Sequence, residues 1–481
     1  MMPARKVTLA AAALLAFGLC LQARHAGASD PARARYTDDP NLVFWFVHIS
    51  DLHIDTFLAD YEQAHLEWAL TTGVDVVGPA FVVATGDLVD GTDGINYLAS
   101  PVDAEWDLYR GIIDGAGMTD DFYFDVIGNH DAYGDENAEH YLTRSVQGIA
   151  QGTTQPAWRV DLPFGSYAFV AVATVCNDWL PWWNDNMEIT DEEFAEITAN
   201  LEANADTNLT FALAHHDYVV SKAGVEVIDG LRLDDLFASH GVAYYFHGHE
   251  HDLRTRVTDA DVVIRRINSS GQSTDDNFCV AAVDADCVSE TCMPSQGGWP
   301  LVVVTAPVDA RLGPDDDVDN PYAPSVPVTC EEAPLRVLVF DEGEVSAVSF
   351  WWETGLTGSL DESAVIPGQW LGTFDATQLN PGVHTLSVQA IGSATHETAV
   401  QVLFEDRTCD ISGPPADEGA EEAAERPDEA APEAVDPRPE AAEDAAVEVP
   451  ADTTHEADQD VQEDAEEEEI PSAGGGGGCG C

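Results

Sequence analysis

Five apolar runs rich in β-branched and aromatic residues occur between residues 43 and 246, and each ends in a short polar block. The runs are 43–47, 81–83, 124–127, 211–213 and 243–246. Continuous apolar runs of this length are typical of strands buried on both faces. Helical periodicity lies between them, at 57–73, 102–115, 190–201 and 231–240, and Thr190-Asp191-Glu192-Glu193 is predicted to be the capping box of the third helix. The alternation predicts a layered α/β domain.

The helical pattern disappears from Leu335 to Glu405. Segments within this region alternate or are rich in strand-forming residues, at 336–340, 347–351, 384–389 and 400–404. Asn380-Pro381-Gly382 is a turn before one of them. This pattern predicts a small β-sandwich.

The polar blocks supply metal-ligand chemistry. They are His48-Ile49-Ser50-Asp51-Leu52-His53, Gly86-Asp87, Gly128-Asn129-His130-Asp131, His215-His216 and Gly248-His249-Glu250-His251. Ligands of open α/β sheets bind at the carboxyl ends of strands, and carboxylate, amide and imidazole groups suit divalent first-row metals. Asp87 is the natural bridge between two cations about 3.5–4 Å apart. Asp51, His53 and one late histidine then complete one site, and Asn129, His215 and the other late histidine complete the second.

The order of these blocks and the residues within them resemble those of the calcineurin-like metallophosphoesterases over about residues 43 to 310. The resemblance implies two metal sites that share Asp87, the first with Asp51, His53 and His251, the second with Asn129, His215 and His249. It implies that His130 lies beside the metals. Three positions depart from the family. His247 adds an imidazole directly before the last block. His216 stands in a block that usually reads His-x-Pro, and is expected outside the ligand set. Asp90 stands where purple acid phosphatases have a metal-binding tyrosine.

A narrower resemblance follows further along the chain. Phe164-Gly165-Ser166-Tyr167 begins one strand, and the run from Gly298 to Thr305 closes the catalytic unit before the β-rich segment. This arrangement resembles the metallophosphoesterase group of animal multi-pass membrane proteins, in which an immunoglobulin-like domain follows. The expected fold is a layered α/β/β/α metallophosphoesterase sandwich followed by a small immunoglobulin-like β-sandwich.

The resemblance implies a phosphoesterase with two divalent metal ions, Mn, Fe or Zn. It would hydrolyse phosphate mono- or diesters by attack of a metal-bound hydroxide. His130 is the predicted general acid for the leaving oxygen. Asp131 either orients that ring or caps the following helix. The alternative function is a cell-surface binding or adhesion protein with a catalytically silent phosphoesterase domain.

The N-terminus predicts export. A basic start, an apolar run from Val7 to Leu21 and Ala26-Gly27-Ala28 read as a signal peptide. The expected location is periplasmic, cell-surface or extracellular, where disulfides form.

Cys287 and Cys292 are close enough along the chain for a disulfide that closes a local loop. The six cysteines at 176, 279, 287, 292, 330 and 409 nevertheless allow about 15 connectivities.

The formal net charge of −69 argues against nucleic-acid binding through a basic surface. The expected partner is a phosphorylated small molecule or a phosphodiester substrate.

Residues 411–481 carry 23 acidic and two basic side chains and are predicted to be disordered. Their ending, Cys479-Gly480-Cys481, suggests attachment to the cell envelope. The predicted domains are the signal peptide (1–28), the metallophosphoesterase domain (29–310), a linker (311–333), the β-sandwich (334–406) and the acidic tail (407–481).

Overall fold

The computed structural model describes residues 31, 34–56, 61–91, 102–135, 137–175, 189–217, 226–227, 231–271, 276–312 and 318–412. All of them belong to the first of two units of the chain, Met1–Pro415, whereas the second unit is Ala416–Cys481. The predicted signal peptide, Cys176, and the predicted tail from residue 413 onward lie outside the described residues.

The N-terminal part of the chain alternates strands and helices. Its strands are β1 Val43–Ile49, β2 Val82–Thr85, β3 Tyr123–Val126, β4 Ala157–Leu162, β5 Gly165–Val172, β6 Leu209–Ala214, β7 Glu226–Val227, β8 Leu231–Arg232, β9 Val242–His247, β10 Arg254–Val257, β11 Val263–Arg266, β12 Asn277–Asp284 and β13 Cys287–Pro294. The five predicted apolar runs coincide with β1, β2, β3, β6 and β9, and the predicted mixed α/β fold is confirmed.

The helices lie between these strands. They are α1 Tyr61–Trp68, which continues through a π-helical turn at Ala69–Gly73 into α2 Val74–Val77, then α3 Asp103–Gly115, α4 Glu139–Arg144, α5 Val146–Gln151, α6 Asp191–Ala203 and α7 Leu233–His240. The predicted capping box begins α6, since the Thr190 hydroxyl accepts from Glu193 N–H and the Glu193 carboxylate accepts from Thr190 N–H. None of the described helices is long and apolar enough to cross a membrane.

Two sheets carry the polar blocks. The first has the order β13-β12-β1-β2-β3, and the second has the order β10-β11-β9-β6-β5-β4. In the first, β1, β2 and β3 run parallel, and in the second β5, β6, β9 and β11 run parallel. Because parallel strands end at one edge of a sheet, the residues that follow β1, β2, β3, β6 and β9 can meet there.

The two sheets pack face to face through an aromatic core. Phe46 of β1 contacts Phe169, Phe211 and Phe246 of the second sheet, with ring centroids 5.5–6.2 Å apart. Residues of α1 and α3 bury the outer face of the first sheet, and residues of α6 and α7 bury that of the second. Each central strand is therefore buried on both faces, which explains its continuous apolar run.

The C-terminal part is built from strands. They are β14 Leu301–Ala306, β15 Arg311–Leu312, β16 Val318–Asp319, β17 Val326–Pro327, β18 Ala333–Phe340, β19 Ala347–Trp352, β20 Thr357–Glu362, β21 Gln369–Phe374, β22 Gly382–Ile391 and β23 Thr395–Glu405. Eight of them form one connected sheet with the order β14-β18-β21-β20-β19-β22-β23-β17. Trp352, Phe374 and Phe404 lie in its apolar core, together with Val302 and Val304 of β14.

Hydrogen bonds cross the predicted domain boundary at residue 310. Strand β14 lies on the N-terminal side of that boundary and pairs antiparallel with β18 on the other side. Arg336 of β18 forms a two-point ion pair with Asp284 of β12, at 2.8 and 2.9 Å, and both side chains are about 2 % exposed or less. Arg336 also donates to the Thr37 carbonyl. These contacts join the two predicted domains.

The cysteine pairing differs from the local loop closure suggested by sequence spacing. Cys292 pairs with Cys279, and Cys330 pairs with Cys409. Among the described cysteines Cys287 is unpaired and buried. The spacing argument was wrong because β12 and β13 form a hairpin in which Cys279 lies directly opposite Cys292, whereas Cys287 lies opposite Asp284. Strand register, rather than sequence distance, decides which thiols meet.

Candidate metal centre

The loops that follow the five central strands have an unusual backbone at the predicted ligands. Five of the seven have positive φ: Asp51 (52°), His53 (45°), Asp87 (49°), His249 (75°) and His251 (51°). This region is uncommon for residues other than glycine and costs about 1–3 kcal/mol each, and such residues cluster at functional sites. The backbone is therefore shaped to direct these side chains, at a cost to stability.

Two glycines of the polar blocks permit this close packing. A Cβ at Gly128 would lie 2.1 Å from the Asp87 backbone nitrogen, and a Cβ at Gly248 would lie 2.0 Å from Asp51 Oδ2. Neither distance is physically accessible. Glycine in these two blocks is thus required by the approach of one loop to the carboxylate of another.

The first cluster of donor atoms contains Asp51, His53 and His251. His251 Nε2 is 3.1 Å from Asp51 Oδ1 and 3.3 Å from His53 Nε2. His53 Nε2 is 3.9 Å from Asp51 Oδ1. Ligand atoms around a cation with bonds of about 2.1 Å lie about 3.0–3.4 Å apart, so one ion fits among these three groups with small adjustments.

The second cluster contains Asp51, Asp87 and His215. His215 Nε2 is 3.0 Å from Asp87 Oδ2 and 3.8 Å from Asp51 Oδ1. The same Asp87 oxygen lies 3.6 Å from His53 Nε2, a member of the first cluster. Asp87 Oδ2 is thus close to imidazoles of both clusters, as a bridging carboxylate would be. His249 completes a third group with His215 and His216.

Hydrogen bonds outside the clusters select which ligand atoms remain available. His215 Nδ1 donates to the Thr85 carbonyl at 2.9 Å, so Nε2 is the nitrogen that a cation can bind once its proton is lost. The Asn129 amide nitrogen donates to the Tyr133 hydroxyl at 2.8 Å. Asn129 Oδ1 is buried and has no hydrogen-bond partner among the described residues. Since an unsatisfied buried acceptor costs about 1–3 kcal/mol, this oxygen fits a cation ligand.

The buried carboxylates of the centre need compensating positive charge. Burial raises the pKa of Asp51 and of Asp87, but the surrounding histidines, His215 foremost, together outweigh it and hold both pKa values below their usual range. Burial lowers the pKa of His215, yet Asp87 and Asp51 raise it overall to about 10. In the metal-free protein a proton on His215 therefore compensates the carboxylates, and metal binding would have to displace that proton.

His130 lies at the rim of the clusters. Its backbone N–H donates to Asp87 Oδ1 at 2.9 Å, and its Nδ1 donates to the Asp90 carbonyl at 2.5 Å. Its Nε2 is 3.9 Å from Asp87 Oδ2. Burial lowers the pKa of this imidazole. Because Nδ1 is occupied, Nε2 is the ring atom available to a bound molecule.

Asp131 was expected to orient the His130 ring or to cap the following helix, but its hydrogen bonds go elsewhere. Its Oδ1 accepts from the N–H groups of Leu88 and Val89, and its Oδ2 accepts from Gly128 N–H at 2.7 Å. Among the described residues its carboxylate contacts neither the His130 ring nor the first turn of α4. It ties the loop after β2 to the loop after β3, and the orientation of the His130 ring is set by the Asp90 carbonyl instead.

Sequence reasoning did not identify the groups that support the ligands. Thr85 contributes only a backbone carbonyl, which no side-chain motif reveals. The Asp90 carboxylate lies 3.7 Å from Nδ1 of both His53 and His130. Its position three residues after Asp87, in the same loop, is the one signal from which this contact could have been expected.

Residues 44–253 match the family model of the calcineurin-like phosphoesterases, and this part of the chain is a calcineurin-like phosphoesterase domain. Transmembrane protein 62 of Mus musculus is 29% identical over 138 residues, which are 28% of this chain and 21% of that protein. The match thus spans about a fifth of the length of this curated relative.

Two solved structures are also similar. A dimetal phosphatase from Danio rerio aligns with 14% identity and a TM-score of 0.38, over 52% of this chain and 95% of that chain. A 5'-nucleotidase from Candida albicans aligns with 14% identity and a TM-score of 0.36, over 53% of this chain and 52% of that chain.

Proposed function

We propose that the chain is an exported phosphoesterase that requires two divalent cations and hydrolyses phosphate mono- or diesters. One observation carries the proposal. Carboxylate and imidazole atoms from the ends of four strands, in two different sheets, approach within 3.0–3.9 Å of one another. Buried polar groups are normally satisfied by hydrogen bonds, whereas metal ligands converge in this way.

Asp51, His53, Asp87 and His251 would hold one cation. Asp87, Asn129, His215 and His249 would hold the other. The fit rests on the position of Asp87 Oδ2 between His53 and His215, and on the unsatisfied Asn129 Oδ1. A mixed carboxylate, amide and imidazole set suits Mn, Fe or Zn better than Mg or Ca, which prefer oxygen ligands.

Two bound cations supply Lewis-acid activation of a phosphoryl group and of the attacking water. The side chains of the protein supply the rest. As an imidazolium, His130 would donate through Nε2–H to a non-bridging oxygen of the substrate, or give that proton to the leaving oxygen. Its Nδ1–H bond to the Asp90 carbonyl fixes the ring direction, so that Nε2 is the nitrogen that exchanges the proton. Asp131 acts as a positioning residue, because it holds the two loops that carry Asp87 and Asn129.

The substrate proposal follows from charge. A chain with a formal net charge of −69 repels polyanions such as nucleic acids, so recognition of a small phosphorylated molecule or a phosphodiester is favoured. Export is supported by the disulfides Cys279–Cys292 and Cys330–Cys409, which persist in oxidising compartments.

For the C-terminal strands we propose an immunoglobulin-like β-sandwich. The support is the antiparallel pairing of β18 with β21, β19 with β20 and β22, and β22 with β23, around a common apolar core. Packing against the phosphoesterase domain is the role that its contacts favour.

The experiment is a substrate panel with the mature chain loaded with Mn²⁺, Fe²⁺ or Zn²⁺. The substrates are p-nitrophenyl phosphate, bis(p-nitrophenyl) phosphate and common nucleotides. We expect hydrolysis that chelator abolishes and metal restores. A chain that binds two cations but hydrolyses none of these esters would favour the silent cell-surface binding protein instead.

A further inference from the structure

His216 directly follows the predicted ligand His215 at the end of β6. Its ring centroid lies 4.3 Å from that of His249 and 4.9 Å from that of His215. One ring nitrogen from each of the three histidines lies within 4.8 Å of the others. The family pattern would leave this position outside the ligand set, but the structure brings it as close to His249 as the predicted ligands are to each other.

The His216 residue is held in place by the second sheet. Its backbone N–H donates to Thr174 Oγ1 at 3.2 Å, and Thr174 Oγ1 is 2.9 Å from its Nδ1. The Tyr245 hydroxyl donates to its carbonyl at 2.5 Å. Thr174 is fully buried. Contacts of this kind orient the ring in the way that supporting residues orient metal-binding histidines.

The two ring nitrogens of His216 have different environments. Nδ1 is occupied by Thr174, so Nε2 is the nitrogen left for another bond. A structural histidine at this position would need only the Thr174 contact and would gain nothing from lying against two other imidazoles. Two imidazoles whose rings lie 4.3 Å apart, with ring nitrogens within reach of one another, are the arrangement expected of ligands of one cation.

We propose that His216 is an additional ligand, through Nε2, of the cation that Asp87, Asn129, His215 and His249 would hold. The inference rests on the proposed two-metal centre. It makes the two sites chemically unequal: the first has two imidazoles, His53 and His251, and the second has three. A site with three imidazoles prefers Zn²⁺, Co²⁺ or Ni²⁺ over Mg²⁺ and Ca²⁺.

The test compares three substitutions in the full mature chain. His216→Asn keeps an amide near the position of Nδ1, and so the Thr174 contact, but has no atom at the position of Nε2. His216→Gln places an amide near the position of Nε2 and so offers a weak ligand. His215→Ala is the positive control for the second site. Each protein is stripped of metal and titrated with Co²⁺ and with buffered Zn²⁺, and bound metal per chain and the visible Co²⁺ absorption are measured.

We expect His216→Asn to weaken Zn²⁺ binding at one site by at least about tenfold and to change the intensity of the Co²⁺ bands, with His216→Gln between it and the wild type. Thermal melting of the metal-free proteins should be the same for wild type and His216→Asn. Wild-type affinity and wild-type Co²⁺ bands in His216→Asn would overturn the inference. So would unchanged metal binding with weakened binding of inorganic phosphate, since His216 would then contact the anion and not the metal.

The outcomes for this inference and for the proposed function are distinct. If His215→Ala loses one cation but His216→Asn does not, only the role of His216 fails. If His215→Ala retains both cations at wild-type affinity, the two-metal centre itself fails, and the assignment of His216 fails with it.

Discussion

At the scale of single residues, a substitution of His130 tests the chemical step separately from metal binding. Its backbone N–H, and not its ring, forms the hydrogen bond to the carboxylate of Asp87, and its ring nitrogen Nε2 is the one not bonded to the Asp90 carbonyl. His130→Ala should retain both cations and lower kcat by about 10²–10⁴-fold. Metal content and steady-state rates check this result, with an alkyl phosphate as the substrate that has a poor leaving group. An unchanged rate on that substrate would remove His130 from the mechanism.

Glu105 of α3 is a second residue with a clear expectation. Its carboxylate is 1% exposed and accepts from Gly91 N–H at 2.9 Å. Burial, together with repulsion from Asp90 and Asp55, raises its pKa to about 8. Because the unfolded chain releases this proton near pH 4.5, folding stability falls as the pH rises from about 4.5 to 8, and stays low above that range.

Glu105→Gln keeps the hydrogen-bond acceptor and removes the ionisation. The metal-free variant should match the wild type near pH 4.5 and exceed it at pH 8.5 by up to about 4–5 kcal/mol in the free energy of unfolding, the linkage free energy of a pKa raised from 4.5 to about 8. Urea unfolding at the two pH values measures the difference. An advantage that is equal at both pH values would mean that ionisation of Glu105 is not its cause.

At the scale of elements, the loops after β2 and β3 depend on one small residue. Gly128→Ala would put a Cβ 2.1 Å from the Asp87 backbone nitrogen and 2.2 Å from Asp87 Oδ1. The loops must separate, so we expect a loss of about 1–3 kcal/mol in stability and weaker metal binding. Gly111→Ala in α3 is the matched control, because nothing lies within 4 Å of its added Cβ. Normal metal content in Gly128→Ala would show that the loop contact is dispensable.

Sequence reasoning succeeded for elements whose pattern is local. The runs that became β1, β2, β3, β6 and β9, and the capping box of α6, were predicted from hydropathy and side-chain chemistry alone. Six of the seven predicted ligands, all but Asn129, lie in the donor clusters, and their approach was predicted by the rule that parallel strands end at one edge. Positions that depend on register or on backbone atoms were missed: the pairing of Cys279 with Cys292, the contacts of Asp131, and the approach of His216 to His249.

The limits of that reasoning have a physical origin. A disulfide in a hairpin depends on which residues lie opposite each other, and a shift of one residue changes the pair. Asp131 bonds to backbone N–H groups, which every sequence contains and no motif distinguishes. Similarly, β14 reads as an ordinary buried strand, and only tertiary packing decides that it pairs with β18.

At the scale of the whole molecule, one buried ion pair joins the phosphoesterase domain to the C-terminal strands. Arg336 and Asp284 bond at two points, and Thr305 Oγ1 also donates to Asp284. Arg336→Ala would leave a buried carboxylate without its cation, and we expect a loss of about 3–5 kcal/mol in the free energy of unfolding. Denaturant unfolding measures it, and both cations should stay bound.

A matched control is Arg311→Ala, since Arg311 pairs with a largely exposed partner, Asp319. That change should cost less than about 1 kcal/mol. Equal losses in the two variants would mean that the buried pair does not join the two parts more strongly than an ordinary surface pair.

The central claim is that Asp87 bridges two cations in one centre. The most direct measurement is the number of metal ions per chain, by mass spectrometry of the intact protein under native conditions, for the wild type and for Asp87→Asn. The wild type should carry two. The variant should lose both or retain one weakly, because the shared carboxylate contributes charge to each site. Two tightly bound ions in Asp87→Asn would contradict the claim.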